Sequence, residues 1–426
     1  MRAGRRAQRD GGSPAAAAGP REDERRFRDR RKRPGDPRPG RPPRHAAIRD
    51  RRDARGRSHP RSFPARRSEK SRERPALPRR DDRKRSLRVF FRAEKRGKLK
   101  VLVTGGTGFV GTHVVNALRR RGHEVAVLAR RPDRTRNRYN RPVENVRGDV
   151  LDPSSLVPAI AGRDAVIHLV GIIHEKGPQT FDRVHREAAE NVVSACGLAG
   201  VPRLLHMSAM GTSADSPSEY GRSKAAGEAA VRESGLDWTI FRPSIIFGPG
   251  DGFVSLLAPI VDKNPLFIPV IGRGETRFQP VSVYDVARVF GDALEKPETV
   301  GKAFEVGGPD VLTLNEIYRE IATVLGKRRK PLLHLPLWWG RLLARSFESL
   351  ARRGWLSSPP LTRDQLKSLE RDNVADVSET VAVFDGEWRE FRSGLREYLT
   401  GGMRHDPRSG FGGEVEIESV KVLRLR

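Results

Sequence analysis

A short apolar strand that runs through a glycine-rich turn into a helix constrains this chain more than any other feature. Alternating apolar residues over 99–103 predict the strand, and Gly105, Gly108 and Gly111 follow it in the sequence TGGTGFVG. This spacing allows a sharp bend, close approach of the backbone to a pyrophosphate, and tight packing of the helix predicted over 112–121 against a sheet. The turn therefore predicts a dinucleotide site.

Charge is distributed unevenly along the 426 residues. Residues 1–100 contain 37 Lys and Arg against 13 Asp and Glu, a net charge of +24, whereas the whole chain carries +29. Because residues 1–88 contain only Phe27 and Phe63 as aromatics and show no apolar period, we predict a disordered, basic Arg/Pro-rich N-terminal tail. A nucleic-acid or anionic-membrane arm, a transit peptide, a linker and an artefactual extension from an upstream start codon are the alternatives. Nucleic-acid binding would rest on charge alone and is not expected.

The sequence also bears on the cellular compartment. A single cysteine, Cys196, excludes an internal disulfide and favours a reducing environment. We find no hydrophobic core of a signal peptide and no apolar run of about 18 residues, so a transmembrane helix is not predicted. These features predict a cytoplasmic protein, with peripheral attachment to the inner membrane left open.

From residue 98 onward, strand and helix patterns alternate as a doubly wound parallel sheet requires. The fold class is therefore predicted as α/β, a Rossmann fold with a smaller C-terminal substrate-binding lobe. The alternation is expected to end after Arg242, where prolines and glycines cluster. Further strands are predicted over 124–129, 165–169, 203–207 and 238–241, and helices over 181–198 and 225–234. The predicted domains are a nucleotide-binding domain over 98–250, a substrate or partner lobe over 251–400 that is interleaved with the sheet, and a linker and short tail over 401–426 that includes one edge strand.

Basic residues follow the second strand, where the adenosine ribose lies in such sheets. Arg130 and Arg131 stand where an acidic side chain would favour a free 2′-hydroxyl. Because a guanidinium binds a phosphate with two parallel hydrogen bonds, this pair favours NADP(H) over NAD(H). A solvated basic surface is the alternative.

Three downstream residues form a candidate catalytic set. Tyr220 and Lys224 are four positions apart, which places them on one face of a helix, and Ser208 directly follows the fifth strand. An ammonium group beside a phenol favours its ionised form, so Lys224 is expected to lower the pKa of Tyr220 towards the range of a general acid or base. Ser208 would then hydrogen-bond a substrate carbonyl. Chance is the alternative, because Y-x-x-x-K is common. No metal site is predicted.

These motifs resemble the short-chain dehydrogenase/reductase superfamily, in its extended and atypical branch with the NAD-dependent epimerases and dehydratases. The resemblance covers 98 to about 325 and includes TGGTGFVG, GDVLD, AVIHLVG, FRPSIIFGPGDG and FQPVSVYDVARVF. It implies oxidoreductase, epimerase or dehydratase chemistry, with Tyr220 as acid or base, Lys224 tuning it and orienting the ribose, and Asp149 receiving the adenine amino group. The dinucleotide-binding residues that it implies are Gly105, Thr107, Gly108, Phe109, Val110, Gly111, Arg130, Arg131, Asp149, Val150, Leu169, Val170, Gly171, Tyr220, Lys224, Pro243 and Ile246.

A narrower resemblance changes the expected function. HMSAMG, SKAAGEAAVRESGLDWTIFRPSIIFGPGD and LTRDQLKSLERDNV are most similar to bacterial relatives of the NADPH-binding accessory subunit nine of the respiratory complex I alpha subcomplex. That family implies a largely structural dinucleotide and association with complex I, ubiquinone biosynthesis or membrane assemblies. His185 stands where many extended members carry Asn, which weakens the proton relay although an imidazole can still bridge a water. A Ser/Tyr/Lys oxidoreductase and a non-catalytic accessory or assembly protein therefore both stay open.

A basic amphipathic helix is predicted over 335–355. Trp339, Leu342 and Phe347 recur at helical spacing, with arginines elsewhere around the turn. We favour a helix that packs as a cap over the substrate cleft. The alternative is a helix that lies on an anionic membrane surface with its tryptophans at the headgroup level. A small or lipid-like substrate, such as one with the apolar tail of a quinone, suits either arrangement.

Overall fold

The computed structural model describes residues 97–399, apart from 136–138, 140–141, 354, 357–358 and 360. The predicted tail over 1–88 and the predicted linker and edge strand over 401–426 lie outside the described residues.

The strands of the described residues form one large sheet and three small ones. The large sheet has the order β11-β6-β5-β4-β1-β2-β3, and all of its neighbouring strands are parallel. The order reverses between β1 and β4, which opens a crevice at their carboxyl ends, the usual ligand site of such sheets. The strands are β1 (Lys100–Thr104), β2 (Glu124–Ala129), β3 (Glu144–Arg147), β4 (Ala165–His168), β5 (Arg203–Met207), β6 (Asp237–Pro243), β7 (Ile246–Phe247), β8 (Ile268–Ile271), β9 (Arg277–Phe278), β10 (Val281–Ser282), β11 (Lys302–Val306), β12 (Leu312–Thr313) and β13 (Leu332–Leu335).

Helices cover both faces of the large sheet, because parallel strands need a crossover between them. One face packs against α1 and α6, and the other packs against α2 and α3. The helices are α1 (Phe109–Arg120), α2 (Pro153–Ile160), α3 (Ala188–Ala199), α4 (Glu219–Arg232), α5 (Val254–Lys263), α6 (Val283–Ala293), α7 (Leu314–Val324), α8 (Leu337–Arg352), α9 (Arg363–Leu369), α10 (Ser378–Val383) and α11 (Phe391–Leu399), with a π-helix over Asp182–Glu187 before α3.

The predicted fold class is confirmed, and one sequence expectation about it is wrong. Strands β2 and β5 have the predicted bounds, and α1 begins three residues earlier than predicted. The alternation does not end after Arg242, because α6 and β11 continue it and Ala303 of β11 pairs with Ile240 of β6. Strand β11 pairs with a strand about 60 residues earlier, a contact that no local pattern encodes, so the sequence does not predict the seventh strand.

The remaining elements form a smaller lobe with its own core. Phe247, Phe278 and Phe391 are almost completely buried in it, and the strand pairs β7–β10, β9–β12 and β8–β13 frame it. The helix predicted over 335–355 is present as α8. It packs through Gly340 and Ala344, its only buried residues, and its role as a cap over the substrate cleft stays a prediction. In the described part of the chain, no helix is long and apolar enough to cross a membrane.

A completely buried arginine joins the central sheet to a later part of the chain. Arg203 of β5 is 0% exposed and donates to the carbonyl oxygens of Asp237 and Ala293, each at 2.7 Å, and to Thr299 Oγ1 at 3.0 Å. Burial lowers the pKa of Arg203 to about 9. A buried guanidinium is tolerated only when its donors are satisfied, so these three acceptors are required by the fold.

Candidate active site

The glycine turn lies so close to neighbouring backbone atoms that Gly105 and Gly111 leave no room for a side chain. Gly105 has φ +73°, and a Cβ added to it would lie 2.8 Å from the carbonyl carbon of Leu169. A Cβ added to Gly111 would lie 2.1 Å from the carbonyl oxygen of Gly105. The Gly108 N–H donates to Gly105 O at 3.0 Å and closes the turn. The residues present therefore fit the bend and the helix packing that a dinucleotide site needs.

The start of α1 is suited to an anion. Gly108 is its N-cap and supplies no capping side chain, and the first turn contains no acidic residue. The first N–H groups of a helix have no partner within the helix and carry partial positive charge, so they can bind a pyrophosphate. The Tyr139 hydroxyl donates to Gly106 O at 3.1 Å, which fixes the position of this backbone. The predicted residues Thr107, Phe109 and Val110 lie on the same turn and helix start.

The neighbouring strand ends bring further predicted residues to the same edge. Arg130 and Arg131 directly follow β2, and both are exposed. Asp149 lies two residues beyond β3, and its Oδ1 accepts a hydrogen bond from Leu151 N at 3.1 Å, which fixes the carboxylate. Val150 beside it is 6% exposed. These positions suit the adenosine half of the cofactor.

The loop after β4 lies between the glycine turn and helix α4. The Leu169 N–H donates to Thr104 O at 3.0 Å, and Val170 follows it. Gly171 leaves room for Lys224, because an added Cβ would lie 3.0 Å from Lys224 Nζ. The remaining predicted cofactor residues are at the ends of the next strands, Pro243 on β6 and Ile246 on β7.

Helix α4 presents the Tyr/Lys pair from its first two turns. Ser218 caps the helix by accepting from Gly221 N at 3.0 Å. Tyr220 is half-buried and lies edge-on to the rings of Phe181 and His185, with ring centroids 5.9 and 5.3 Å apart. Lys224 Nζ donates to Met207 O at 3.2 Å, which brings it to the residue before Ser208. The structure thus brings Ser208, Tyr220 and Lys224 to one edge of the sheet.

The pKa values of this pair differ from the sequence expectation. Burial raises the pKa of Tyr220 to about 12, and burial lowers the pKa of Lys224 to about 8. The expected lowering of the Tyr220 pKa by Lys224 is therefore wrong for this structure, because the cost of burying a phenolate dominates. At neutral pH the phenol is protonated and can act as a proton donor.

Ser208 is buried beside a charged pair. Its N–H donates to Phe241 O at 2.8 Å, and its side chain is 2% exposed. The hydroxyl lies beside the Glu228 carboxylate, without a well-aligned hydrogen bond to any described residue. Burial acts to raise the pKa of Glu228, but Arg242, which binds both of its oxygens at 2.8 and 2.6 Å, holds that pKa below its usual value. The hydroxyl of Ser208 thus lies against the Glu228 carboxylate and would have to rotate away from it to donate to a substrate oxygen.

His185 is part of the framework and does not bridge a water. The Ile172 N–H donates to His185 Nε2 at 3.1 Å, so the ring proton is on Nδ1 and points to Ser223 Oγ at 2.8 Å. Ser223 Oγ in turn donates to Tyr220 O at 2.9 Å. Burial lowers the pKa of His185 to about 2, so the ring stays neutral. Both ring nitrogens are used by the protein, and the expectation of a water-bridging imidazole is wrong.

Sequence reasoning missed two residues that complete the site from the far end of the chain. Asp364 of α9 accepts from Glu219 N at 3.0 Å and from Tyr220 N at 3.3 Å. Its carboxylate therefore caps the N-terminus of α4, beside Tyr220. Asn373 accepts from Ser244 Oγ at 2.6 Å and donates to Met210 O at 3.4 Å. Both belong to LTRDQLKSLERDNV, a segment that carried the narrower family resemblance but gave no sign of these contacts.

Buried histidines behind the site predict a pH-dependent stability. His206 is 2% exposed, its ring stacks on His168 at 5.3 Å, and neither of its ring nitrogens has a hydrogen-bond partner among the described residues. Burial, followed by the nearby His168 and Lys224, lowers the pKa of His206 well below 6.5. Below about pH 6.5 the His206 side chain is therefore protonated in the unfolded chain but stays neutral in the folded chain. The free energy of unfolding falls as the pH drops below this value.

The variant His206→Phe tests this effect. It keeps the stacked ring and removes one titrating group, so below about pH 5.5 its free energy of unfolding should fall less steeply than that of the wild type, by about 1.4 kcal/mol per pH unit. Urea unfolding between about pH 4 and pH 7.5 measures the two slopes. The exposed Leu198, changed to Gln, is the control, because it alters no titrating group and should keep the wild-type slope. Equal slopes for wild type and His206→Phe would refute the assignment.

Comparison with known proteins gives one family match and several relatives. A family model described as NAD(P)H-binding matches residues 105–297. The chain is 34% identical over 222 residues to the mitochondrial NADH dehydrogenase [ubiquinone] 1 alpha subcomplex subunit 9 of Arabidopsis thaliana, which covers 50% of this chain and 55% of that protein. It is 31% identical over 292 residues to the rat protein of the same name, covering 65% of this chain and 72% of that one.

A bacterial relative carries the name of an enzyme. The chain is 32% identical over 236 residues to the ceramide reductase of Caulobacter vibrioides, which covers 55% of this chain and 73% of that protein. The chain spans only 55 and 62% of the length of the Arabidopsis and Dictyostelium discoideum subunits.

A solved structure supports the fold alone. The dTDP-glucose 4,6-dehydratase of Streptomyces venezuelae, crystallised with NAD, is 21% identical and has a TM-score of 0.54 over 70% of this chain and 95% of that chain. Its similarity agrees with the parallel sheet and the crevice described above.

Proposed function

Because the chain belongs to the NAD(P)H-binding proteins of the extended short-chain dehydrogenase/reductase type, we propose that it is an NADP(H)-dependent oxidoreductase for a carbonyl or alcohol group on a small or lipid-like substrate. The observation that carries this proposal is the convergence of a protonated Tyr220, the buried ammonium of Lys224 and the hydroxyl of Ser208 beside the crevice. A purely structural dinucleotide site does not need this combination of groups.

The three side chains have separate roles in the proposed reaction. A bound nicotinamide supplies or accepts the hydride. The Tyr220 hydroxyl gives its proton to the carbonyl oxygen as that oxygen gains negative charge, and its pKa of about 12 keeps the phenol protonated at neutral pH before the transfer. Lys224, whose pKa is about 8, is mostly protonated at neutral pH and stabilises the phenolate that remains. Ser208 donates a hydrogen bond to the same substrate oxygen.

The preference for NADP(H) rests on Arg130 and Arg131. Both are exposed directly after β2, where the 2′-phosphate of the adenosine ribose would lie. Replacing both by Ala should weaken NADPH binding about tenfold and leave NADH binding unchanged, because only NADPH carries the phosphate. Fluorescence titration with the two cofactors measures the difference. The matched control is a second pair of consecutive exposed arginines, Arg328 and Arg329, changed to Ala. Equal losses for NADPH and NADH would contradict the preference.

Turnover of the purified full chain tests the proposed reaction. NADPH oxidation, followed by its absorbance, should appear with at least one member of a panel of ketone lipids, quinones and nucleotide sugars. A dinucleotide that co-purifies, stays in one redox state and reacts with none of them would contradict the enzyme. We propose a cytoplasmic location for this activity, and peripheral attachment to the inner membrane stays open.

A second candidate function is a dinucleotide-loaded accessory or assembly protein. It is favoured by the similarity to complex I subunits and by the fixed framework role of His185, which occupies the place of a relay residue. In that case the dinucleotide stabilises the fold, and its removal should lower the melting temperature without loss of any turnover. Co-purification with a respiratory or quinone-synthesis assembly from the source membrane would support it.

A further inference from the structure

Exposed large apolar side chains are concentrated in the smaller lobe. Of the thirteen such side chains among the described residues, eleven lie beyond residue 251. Five of them are close together in the chain, on β13 and the first turns of α8. We call these five the docking surface: Leu333, Leu337, Trp338, Trp339 and Leu342, which are 37 to 58% exposed.

Helix α8 exposes its two tryptophans, whereas Leu343 and Phe347 are half-buried. Its buried residues are the small ones, Gly340 and Ala344, whereas both tryptophans point outward. A Cβ added to Gly340 would lie 2.5 Å from Ile271 Cγ2, so the helix is seated closely on β8 through this glycine. The Trp338 and Trp339 rings stack with centroids 5.0 Å apart. An ordinary surface helix would bury its largest apolar side chains, so this face is built for a partner.

The charge beside these side chains is strongly positive. The segment 327–353 contains eight Lys and Arg and one acidic residue, Glu348. Glu348 binds Arg363 at 2.9 Å, and acidic residues outside the segment pair with two of its cations, Glu370 with Arg341 at 3.2 Å and Asp262 with Lys327 at 3.7 Å. Arg328, Arg329 and Arg345 are exposed and lie before and after the apolar side chains in the chain. A second copy of this chain would bring two positive faces together, whereas an anionic surface would complement this one.

We propose that the docking surface binds the headgroup region of a lipid bilayer that contains anionic lipids. Tryptophan is the residue that membrane interfaces favour, and arginines beside it attract anionic headgroups. A helix with a basic polar side and an aromatic apolar side lies in the plane of such an interface. This inference is independent of the proposed reaction.

The docking surface is connected to the candidate active site through packed elements. The same added Cβ on Gly340 would lie 3.5 Å from Leu366 of α9, and α9 carries Asp364, the cap of the helix with Tyr220. The helix that carries the docking surface therefore packs through its buried side on α9, which caps the helix with Tyr220.

Vesicle binding by the full-length, dinucleotide-bound protein tests the proposal. The variant with Trp338→Ser, Trp339→Ser and Leu342→Ser keeps every charge and loses the apolar contacts. We expect sedimentation of wild type with phosphatidylcholine vesicles that contain phosphatidylglycerol, and partitioning at least about tenfold weaker for the variant. Brominated acyl chains should quench wild-type tryptophan fluorescence. Leu198→Ser with Val381→Ser, which removes two exposed apolar side chains elsewhere, should bind as wild type does.

Four results would overturn the proposal. They are no binding by the wild type, equal binding to vesicles without phosphatidylglycerol, undiminished binding by the triple variant, and a change in oligomeric mass of the triple variant in solution. The third would assign attachment to basic residues elsewhere, and the fourth would assign the surface to a second copy. Circular dichroism and cofactor content verify that the triple variant is folded.

Discussion

Tyr220→Phe will lower kcat by about a thousandfold and leave the affinity for the dinucleotide unchanged. The phenylalanine ring can keep the edge contacts with Phe181 and His185, so only the hydroxyl is lost. General acid catalysis by a positioned side chain contributes about 10² to 10⁴ in rate. Because the phenol has a pKa of about 12 and is protonated at neutral pH, the variant removes the proton donor without changing the charge of the site.

A second tyrosine provides a matched control for this prediction. Tyr318 of α7 is 5% exposed, and burial raises its pKa to about 12 as well, but it lies in the core of the smaller lobe. Tyr318→Phe makes the same chemical change in the same kind of environment and should leave kcat unchanged. Steady-state rates and dinucleotide titrations for both variants decide the matter. A Tyr220→Phe protein with the wild-type rate would show that another group donates the proton.

Gly111→Ala should cause the largest loss of stability of any single methyl added to the glycine turn. The new Cβ would lie 2.1 Å from Gly105 O and 2.6 Å from Gly106 Cα, and both neighbours are backbone atoms that cannot rotate away. We expect the free energy of unfolding to fall by more than about 3 kcal/mol, because α1 must move off the sheet. Dinucleotide binding should be lost as well. Chemical unfolding and dinucleotide titration measure the two losses.

Gly108→Ala separates binding from folding. Its Cβ would lie 3.3 Å from Gly105 O, and Gly108 is exposed with φ −81°, so the fold should persist. The added methyl faces the place of the pyrophosphate and should weaken dinucleotide binding at least about tenfold. Gly197→Ala in α3 is the control, because an added Cβ there meets nothing within 4 Å. It should gain about 0.5 to 1 kcal/mol of stability. Normal binding by Gly108→Ala would place the pyrophosphate elsewhere.

The sequence predicts the parts of this molecule that depend on local physics. The glycine turn, β2, β5 and the Tyr/Lys spacing follow from periods of two and 3.6 residues and from the absence of side chains at Gly105 and Gly111. Strand β11 and the Asp364 cap depend on contacts across about 60 and 145 residues, which no local pattern encodes. The pKa of Tyr220 also depends on the tertiary structure, because burial affects it more than Lys224, its neighbour on the helix, does.

The roles of α8 and of His185 show a second limit of prediction from the sequence. An amphipathic pattern predicts a helix, but it does not show which side is buried, and in α8 the small residues Gly340 and Ala344 face inward. An imidazole is equally suited to hold water or to join two segments. The N–H of Ile172 and the hydroxyl of Ser223 decide the question for His185, and the loop conformation that presents them is not readable from the sequence.

The buried Arg203 makes the described chain difficult to divide into pieces. A fragment that stopped after β6 would leave this guanidinium in the core without its bonds to Ala293 and Thr299, and would remove the rings of Phe290 and Phe304 from Phe241. Recombinant fragments cut near residue 250 should therefore be recovered only as aggregates. A single protease cut between α5 and β8 should leave two peptides that stay associated until denaturant is added, and that melt together in one transition.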